Sequence, residues 1–286
     1  MKDQDKSARI KLLISRIVAY TVLIFLSILC LFFFYLLIVN ASRSDGQLDA
    51  GFTLIPSTHF FENLKNAWND GTISIPTGMK NSLIVSLCTA LLSTYFSALT
   101  AYGVYAYQFR LKKFVFGFIL AVMMIPSQVG AVGFVQLCYK FKLTNKLWVL
   151  IAPSVAAPAV FFYMMQYLKA TLPLEMVEAS RIDGSGEFAT FNRIVLPLMK
   201  PALAVQMIFS FVNSWNDFFM PGLLLSKLEK QTVPIMISTL RSADYTKFDM
   251  GKVYMLILLS ILPVIIVYIF LSKYIIKGVT SGSVKG

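Results

Sequence analysis

Charge is scarce in this sequence. Only 14% of its 286 residues are Asp, Glu, Lys or Arg, where soluble domains carry about a quarter. Histidine is scarcer still: His59 stands alone in a polar stretch, so neither a histidine metal cluster nor a pair of histidines can form. Cys30, Cys88 and Cys138 lie inside apolar runs without C-x-x-C spacing, which removes thiolate metal sets and reads as three small buried hydrophobes. There is no G-x-x-x-x-G-K-[ST] phosphate loop, so the chain is not expected to hydrolyse ATP by itself. An enzyme embedded in the membrane would need a nucleophile–base set or a metal cluster within its spans, and these residues furnish neither. Internal repeats and low-complexity tracts are absent too.

What remains is apolar. Hydrophobic residues make up 57% and aromatic residues 14%, with a mean hydropathy of +0.70, so lipid is the expected solvent. The net charge of +12 does not indicate nucleic acid, because the Lys and Arg residues fall between apolar runs rather than on one face of a soluble fold. That placement suits lipid headgroups and orientation by charge.

A bilayer core of about 30 Å needs about 20 apolar residues in a helix. Six runs qualify, at about 17–39, 82–107, 114–139, 147–168, 201–225 and 253–276. The chain therefore reads as an all-α membrane protein with six transmembrane helices. Val39-Asn40-Ala41 loosely resembles a cleavage site, but the first run far exceeds the 7–15 residues of a signal core, so a retained anchor is expected. Lys2, Lys6, Arg9, Lys11 and Arg16 precede it. The tail 1–16 should therefore stay in the cytoplasm, and six crossings bring the tail 277–286 back to the same side. The stretch between the first two runs becomes an outer loop, in which Phe60 to Trp68 reads as a short amphipathic helix at headgroup level. Prolines within spans, Pro126, Pro153, Pro158 and Pro263, free carbonyls that bundled neighbours must satisfy.

Between the fourth and fifth runs, residues 172–197 do not read as a plain connector. Pro173 suits a helix start and Glu175 the positive end of the helix dipole. Asp183-Gly184-Ser185-Gly186 breaks the helix. A second short helix from Glu187 to Arg193 sets Phe188 and Phe191 three apart on one face. Two readings fit: a knob for a soluble partner, or a surface hairpin whose aromatics dip into the interface.

This segment resembles the EAA loop of permease subunits in ATP-binding-cassette importers: E-A-A, three residues, G, nine residues, I-x-L-P. Here the pattern is Glu178-Ala179-Ser180, then Gly184, then Ile194-Val195-Leu196-Pro197, with Ser180 in place of the second alanine. Met124-Ile125-Pro126, Ile182-Asp183-Gly184, Ser214-Trp215-Asn216-Asp217 and the tail from Lys277 are similar to the carbohydrate-uptake branch, in particular its maltose-type six-span permeases. The resemblance implies the type I importer (MetI-like) fold. It implies coupling helices in which Glu178, Ala179, Ser180, Asp183, Gly184, Phe188 and Phe191 meet a separate ATPase. It also implies a second homologous permease forming a heterodimer, two ATPase subunits that hold the ATP and Mg, an extracytoplasmic solute-binding protein, and sugar cargo. No cofactor is expected in this chain.

For a cargo path, Asn213, Trp215, Asn216 and Asp217 sit together in the fifth run, and a carboxylate in hydrocarbon costs roughly 2.5–3.5 kcal/mol on insertion scales. Sugars need polar partners and a flat apolar face, which these residues supply. Alternatively, Trp215 anchors at the interface and Asp217 caps a helix break before Pro221-Gly222. Gln128 is a weaker candidate of the same kind. Cargo other than sugar (amino acid, peptide or phosphate) fits the importer class as well. A secondary transporter fits less well, because paired repeats with charged, broken helices are missing.

Overall fold

The computed structural model describes residues 2–69, 74–241 and 249–283, with side chains over 11–69, 74–239 and 249–272. Met1 and the last three residues of the expected 277–286 tail lie outside the described residues. The chain divides into two compact units, residues 1–69 with 244–259 and residues 70–243 with 260–286. Regular structure among the described residues is helical throughout.

In the first unit, α1 (Lys2–Ala41) is one 40-residue helix. Its stretch Lys11–Ala41 is apolar enough to cross a membrane, and nearly all its side chains are exposed, an arrangement that water would oppose and lipid permits. Its last turn is different: Val39 and Ala41 are fully buried. The reason lies in the loop that follows, through α2 (Asp45–Asp49) and α3 (Phe60–Trp68). Asn63 of α3 donates to the carbonyls of Ala41 (2.9 Å) and Arg43 (2.8 Å). The Arg43 guanidinium in turn donates to the carbonyls of Gln47 and Gly51. The N-terminus of α15 (Met250–Ser283) closes this knot, Met250 N donating to Asp45 Oδ1 at 2.8 Å. The end of the first span is thus part of the unit's packing. The α15 backbone stays helical through Ser283, past the end expected for the sixth span at 276.

The second unit is organised around α4 (Ile75–Ala106), whose single proline, Pro76, sits harmlessly in the first turn. One face of α4 carries Ala90, Ser93, Thr94, Ser97, Ala98 and Ala101, all buried. Small residues at this spacing let helix backbones approach closely, and in lipid it is packing rather than transfer from water that drives association. Against that face pack α8 (Pro158–Thr171) and α12 (Lys200–Asn216). The main core joins Ala98, Ala101 and Tyr102 of α4 to Phe161, Met164 and Leu168 of α8.

Proline explains the differences from six straight spans. The third expected span, 114–139, is two helices, α5 (Lys112–Met123) and α6 (Ser127–Lys140), meeting at 92° across Pro126, which lacks the N–H the helix would need. The fourth comprises α7 (Trp148–Ile151), a 3₁₀ turn at Ala152–Val155 holding Pro153, and α8 beginning at Pro158. The fifth, expected over 201–225, stops as α12 at Asn216. The short α13 (Phe219–Leu224) follows, then α14 (Val233–Arg241). Among the described residues, four helices can cross a membrane by length and composition, or up to six if each bent pair is one span. Asn81 laces the start of α4 to the loop before α14, donating to the Glu229 and Gln231 carbonyls at 3.0 Å each.

Candidate functional site

The expected coupling segment begins where α8 ends. Pro173 precedes α9 (Leu174–Ile182), whose first turn carries Glu175. Gly184 then adopts φ +76°, a left-handed conformation that glycine takes without a Cβ penalty, and Ser185 N returns to the Ser180 carbonyl at 2.9 Å. The chain turns at Gly186 into α10 (Glu187–Thr190), a π-helical turn at Phe191–Val195 and α11 (Leu196–Leu198). This run meets α12 at 81°, with Pro197 and Pro201 beside the bend.

Side chains fix the two short helices to each other. Arg181 Nε lies 2.6 Å from Glu187 Oε1, and Tyr102 Oη of α4 donates to Glu187 Oε2 at 3.0 Å. The Arg181 guanidinium also stacks over the Tyr107 ring, 5.3 Å from its centroid. The Arg181 bond, with help from tyrosine hydroxyls, holds the Glu187 carboxyl below its ordinary range, and the same bond raises Arg181. Because this pair is part-exposed, water screens it, and its contribution to stability is small.

The residues expected to meet a partner sort into two groups. Glu178, Ala179, Asp183 and Gly184 are exposed, as is Phe188 at 67%. Ser180 and Phe191 are not. Ser180 is buried, bonded to the Val177 carbonyl and, at 3.1 Å, to Thr190 Oγ1, which reaches Ser185 Oγ. Its hydroxyl ties α9 to α10. Phe191 is 0% exposed, held between the rings of Tyr95 and Tyr102 at 5.7 Å each. The expectation of an exposed Phe188–Phe191 pair is corrected: the π-helical turn carries Phe191 inward. Ile182, which sequence reasoning did not single out, is 86% exposed beside Asp183. Its four-residue spacing from Glu178 was the available signal.

A cavity of about 940 Å³ opens higher in the same unit. Val85, Thr89 and Ser93 of α4 form one wall, Gln128 and Ala131 of α6 another, Ser154 and Ala157 a third, and Asn213, Ser214 and Asp217 the last. Among the described residues, no Lys, Arg or His lines it. Gln128, Asn213 and Asp217 of the expected path thus stand on one cavity. Asp217 Oδ1 also accepts from Phe219 N at 2.9 Å, so the residue caps α13 and keeps further acceptor capacity. Trp215 and Asn216 are off the cavity wall. Trp215 is 3% exposed, stacked on Phe211 at 5.6 Å, and its Nε1 donates to the Ser260 carbonyl at 3.0 Å. Its ring is packed into the core rather than presented to the cavity that its neighbour Ser214 lines, since successive side chains point about 100° apart around a helix. Thr89 and Ser93 were not anticipated. Their spacing of four in an apolar span was the clue, and Thr89 Oγ1 is buried without a hydrogen-bond partner.

Known proteins resemble the chain across most of its length. The family described as "Binding-protein-dependent transport system inner membrane component" matches residues 83–280. The arabinooligosaccharides transport system permease protein AraQ of Bacillus subtilis (strain 168) is 36% identical over 267 residues, covering 91% of this chain and 92% of that protein. The melibiose/raffinose/stachyose import permease protein MelC of the same organism is 30% identical, covering 99% of each. In fold, the chain matches a chain in the crystal structure of a bacterial ABC transporter involved in the import of the acidic polysaccharide alginate. That match has a TM-score of 0.79 at 21% identity, over 91% of this chain and 96% of that one.

Proposed function

This chain belongs to the binding-protein-dependent transport system inner membrane component family, and on that footing we propose that its cargo is a neutral sugar or oligosaccharide. It is a permease subunit of an ATP-binding-cassette importer and not an enzyme; the ATPase is a separate subunit. The relatives named for arabinooligosaccharides and for melibiose, raffinose and stachyose support the cargo class.

The observation that carries the proposal is the chemistry of the cavity wall. Hydroxyls of Thr89, Ser93, Ser154 and Ser214, amides of Gln128 and Asn213, and the Asp217 carboxylate line it without a cation. Sugar hydroxyls both donate and accept, which such a wall satisfies, including the unpaired Thr89 hydroxyl. A phosphate or carboxylate cargo would call for Arg or Lys.

In the proposed assembly the chain pairs with a second, homologous permease and with two ATPase subunits that bind ATP and Mg. A solute-binding protein delivers cargo from outside. Both termini and the segment 172–197 lie in the cytoplasm, where Glu178, Asp183, Ile182 and Phe188 face the ATPase. Closure of the ATPase pair moves these helices, and the spans alternate between outward and inward access.

The test is uptake of radiolabelled arabinotriose and raffinose by cells carrying the whole importer, with glycerol phosphate in parallel. Neutral cargo should enter, and Asp217→Ala should lower its uptake more than it lowers the protein in the membrane. Asp217→Asn keeps the cap on Phe219 but removes the charge, and should fall between. Preferred uptake of the phosphate would refute the cargo assignment.

A further inference from the structure

We propose that α4 carries motion from the coupling segment to the cavity, and that the Tyr102–Glu187 hydrogen bond is its grip; this rests on the coupling role assigned above. Motion at α9 and α10 can leave along the chain in either direction or through side chains, which pack on both α8 and α4 in one core. Toward α8 the chain passes through Leu172-Pro173, where the backbone is extended. Toward α12 it passes through a π-helical turn, Pro197, Pro201 and an 81° bend. Neither route along the backbone is an unbroken helix that could move as one body.

The route through side chains reaches α4. Glu187, the first residue of α10, is fixed by Arg181 on one oxygen and by Tyr102 on the other. Phe191 is wedged between the rings of Tyr95 and Tyr102. Tyr105 Oη donates to the Leu172 carbonyl at 2.9 Å, gripping the segment where it begins. Positions 95, 102 and 105 share one face of α4 by their spacing of seven and three. Tyr102 is 2% exposed, so its hydroxyl answers to Glu187 rather than to bulk water.

From Tyr102 the helix is uninterrupted to the cavity. Ser93 lies nine residues back and Thr89 thirteen, about 14 and 20 Å along the axis at 1.5 Å per residue, and both line the cavity. A displacement of α10 seized at Tyr102 therefore arrives at Ser93 and Thr89 as a displacement of one stiff body. Tyr102 and Glu187 are positioning residues: they touch neither cargo nor nucleotide.

The test follows the cavity wall directly and needs no knowledge of the cargo. The whole importer is purified through this chain with Cys30, Cys88 and Cys138 replaced by serine and the S93C substitution added. Its labelling by a membrane-impermeant maleimide is measured before and after trapping the ATPase with ATP and vanadate. With the node intact, trapping should change the labelling rate about tenfold, a bond to a charged group corresponding to about that factor. In Tyr102→Phe the change should shrink to less than about twofold, and in Glu187→Gln, which trades the charged acceptor for an amide oxygen, it should shrink part of the way, while the ATPase still co-purifies and still traps vanadate. The double variant should be no worse than Tyr102→Phe alone, since without the hydroxyl no bond between the two positions remains to be weakened. A full response in Tyr102→Phe overturns the proposal, as does an intact protein whose S93C labelling ignores trapping. If no ATPase co-purifies with the unaltered chain, the coupling assignment fails instead. Near-normal assembly is expected because both substitutions keep side-chain size; a loss of response proportional to lost assembly would mark the bond as structural and also overturn the proposal.

Discussion

Gly184 offers the sharpest test of the coupling segment, because conformation and space can be separated there. It sits at φ +76°, and a Cβ built on it meets no atom within 4 Å. Any penalty for a side chain is therefore backbone strain, not collision. An L-residue held in the left-handed region loses roughly 1–2 kcal/mol, a factor of about 5–30 in the population of the native turn. Asparagine tolerates this region better than alanine. Proline cannot enter it, since its ring fixes φ near −65°, and it also removes the N–H that Gly184 donates to the Arg181 carbonyl at 3.0 Å. Uptake by the assembled importer should fall in the order Gly, Asn, Ala, Pro, with ATP hydrolysed per sugar rising along the same series. Membrane insertion, read by the amount of chain in the membrane fraction, should stay level because the spans are untouched. Uptake by Gly184→Pro equal to that of the parent would refute the reasoning, as would Asn and Ala in reversed order.

Two further outcomes are expected. At Gly251 a Cβ would lie 2.7 Å from the Arg43 carbonyl oxygen and 2.8 Å from Asn63 Nδ2. These atoms are bonded to each other and cannot yield freely, so Gly251→Ala should destabilise by about 1–3 kcal/mol. Gly46→Ala, which meets nothing within 4 Å, should be near neutral; equal melting of the two in detergent would count against the packing argument. The folded Glu187 carboxyl titrates below its ordinary value of 4.5, so the unfolded state binds protons first as pH falls. The stabilisation is complete above that value and is lost as pH drops through the lowered one. Amide exchange across 182–190, corrected for intrinsic rate, should quicken only in that acidic window, and Glu187→Gln should show the quicker exchange already at neutral pH.

The spans were legible because each depends on a local sum. A run of apolar residues long enough for a bilayer is visible wherever it occurs, and α1, α4 and α15 contain the runs read from composition. The proline breaks were legible as positions but not as angles. Pro126 announces an interruption, yet the 92° between α5 and α6 depends on what each half packs against. In the coupling segment, Gly184 was readable as a turn, because positive φ is a property of one residue. The fate of Phe191 was not. Helical spacing placed it beside Phe188, whereas a π-helical turn and two tyrosines from α4 drew it inward.

Ser180 and Trp215 teach the same lesson from opposite directions. Ser180 read as a small replacement for alanine, but Thr190, ten residues away, turns its hydroxyl into a buried link. Trp215 read either as a flat face for sugar or as an interface anchor, and in the structure it packs on Phe211 and donates to the Ser260 carbonyl.

The order of residues alone determined that the chain lives in lipid, how many times it can cross, and where a hinged pair of short helices interrupts the spans. Those properties arise from hydrophobicity and backbone preference summed over neighbours in the chain. Only the tertiary structure decided which polar residues share a cavity and which aromatics are interior, because both depend on residues far apart in sequence. The bond from Tyr102 to Glu187 spans 85 positions, beyond the reach of any local rule.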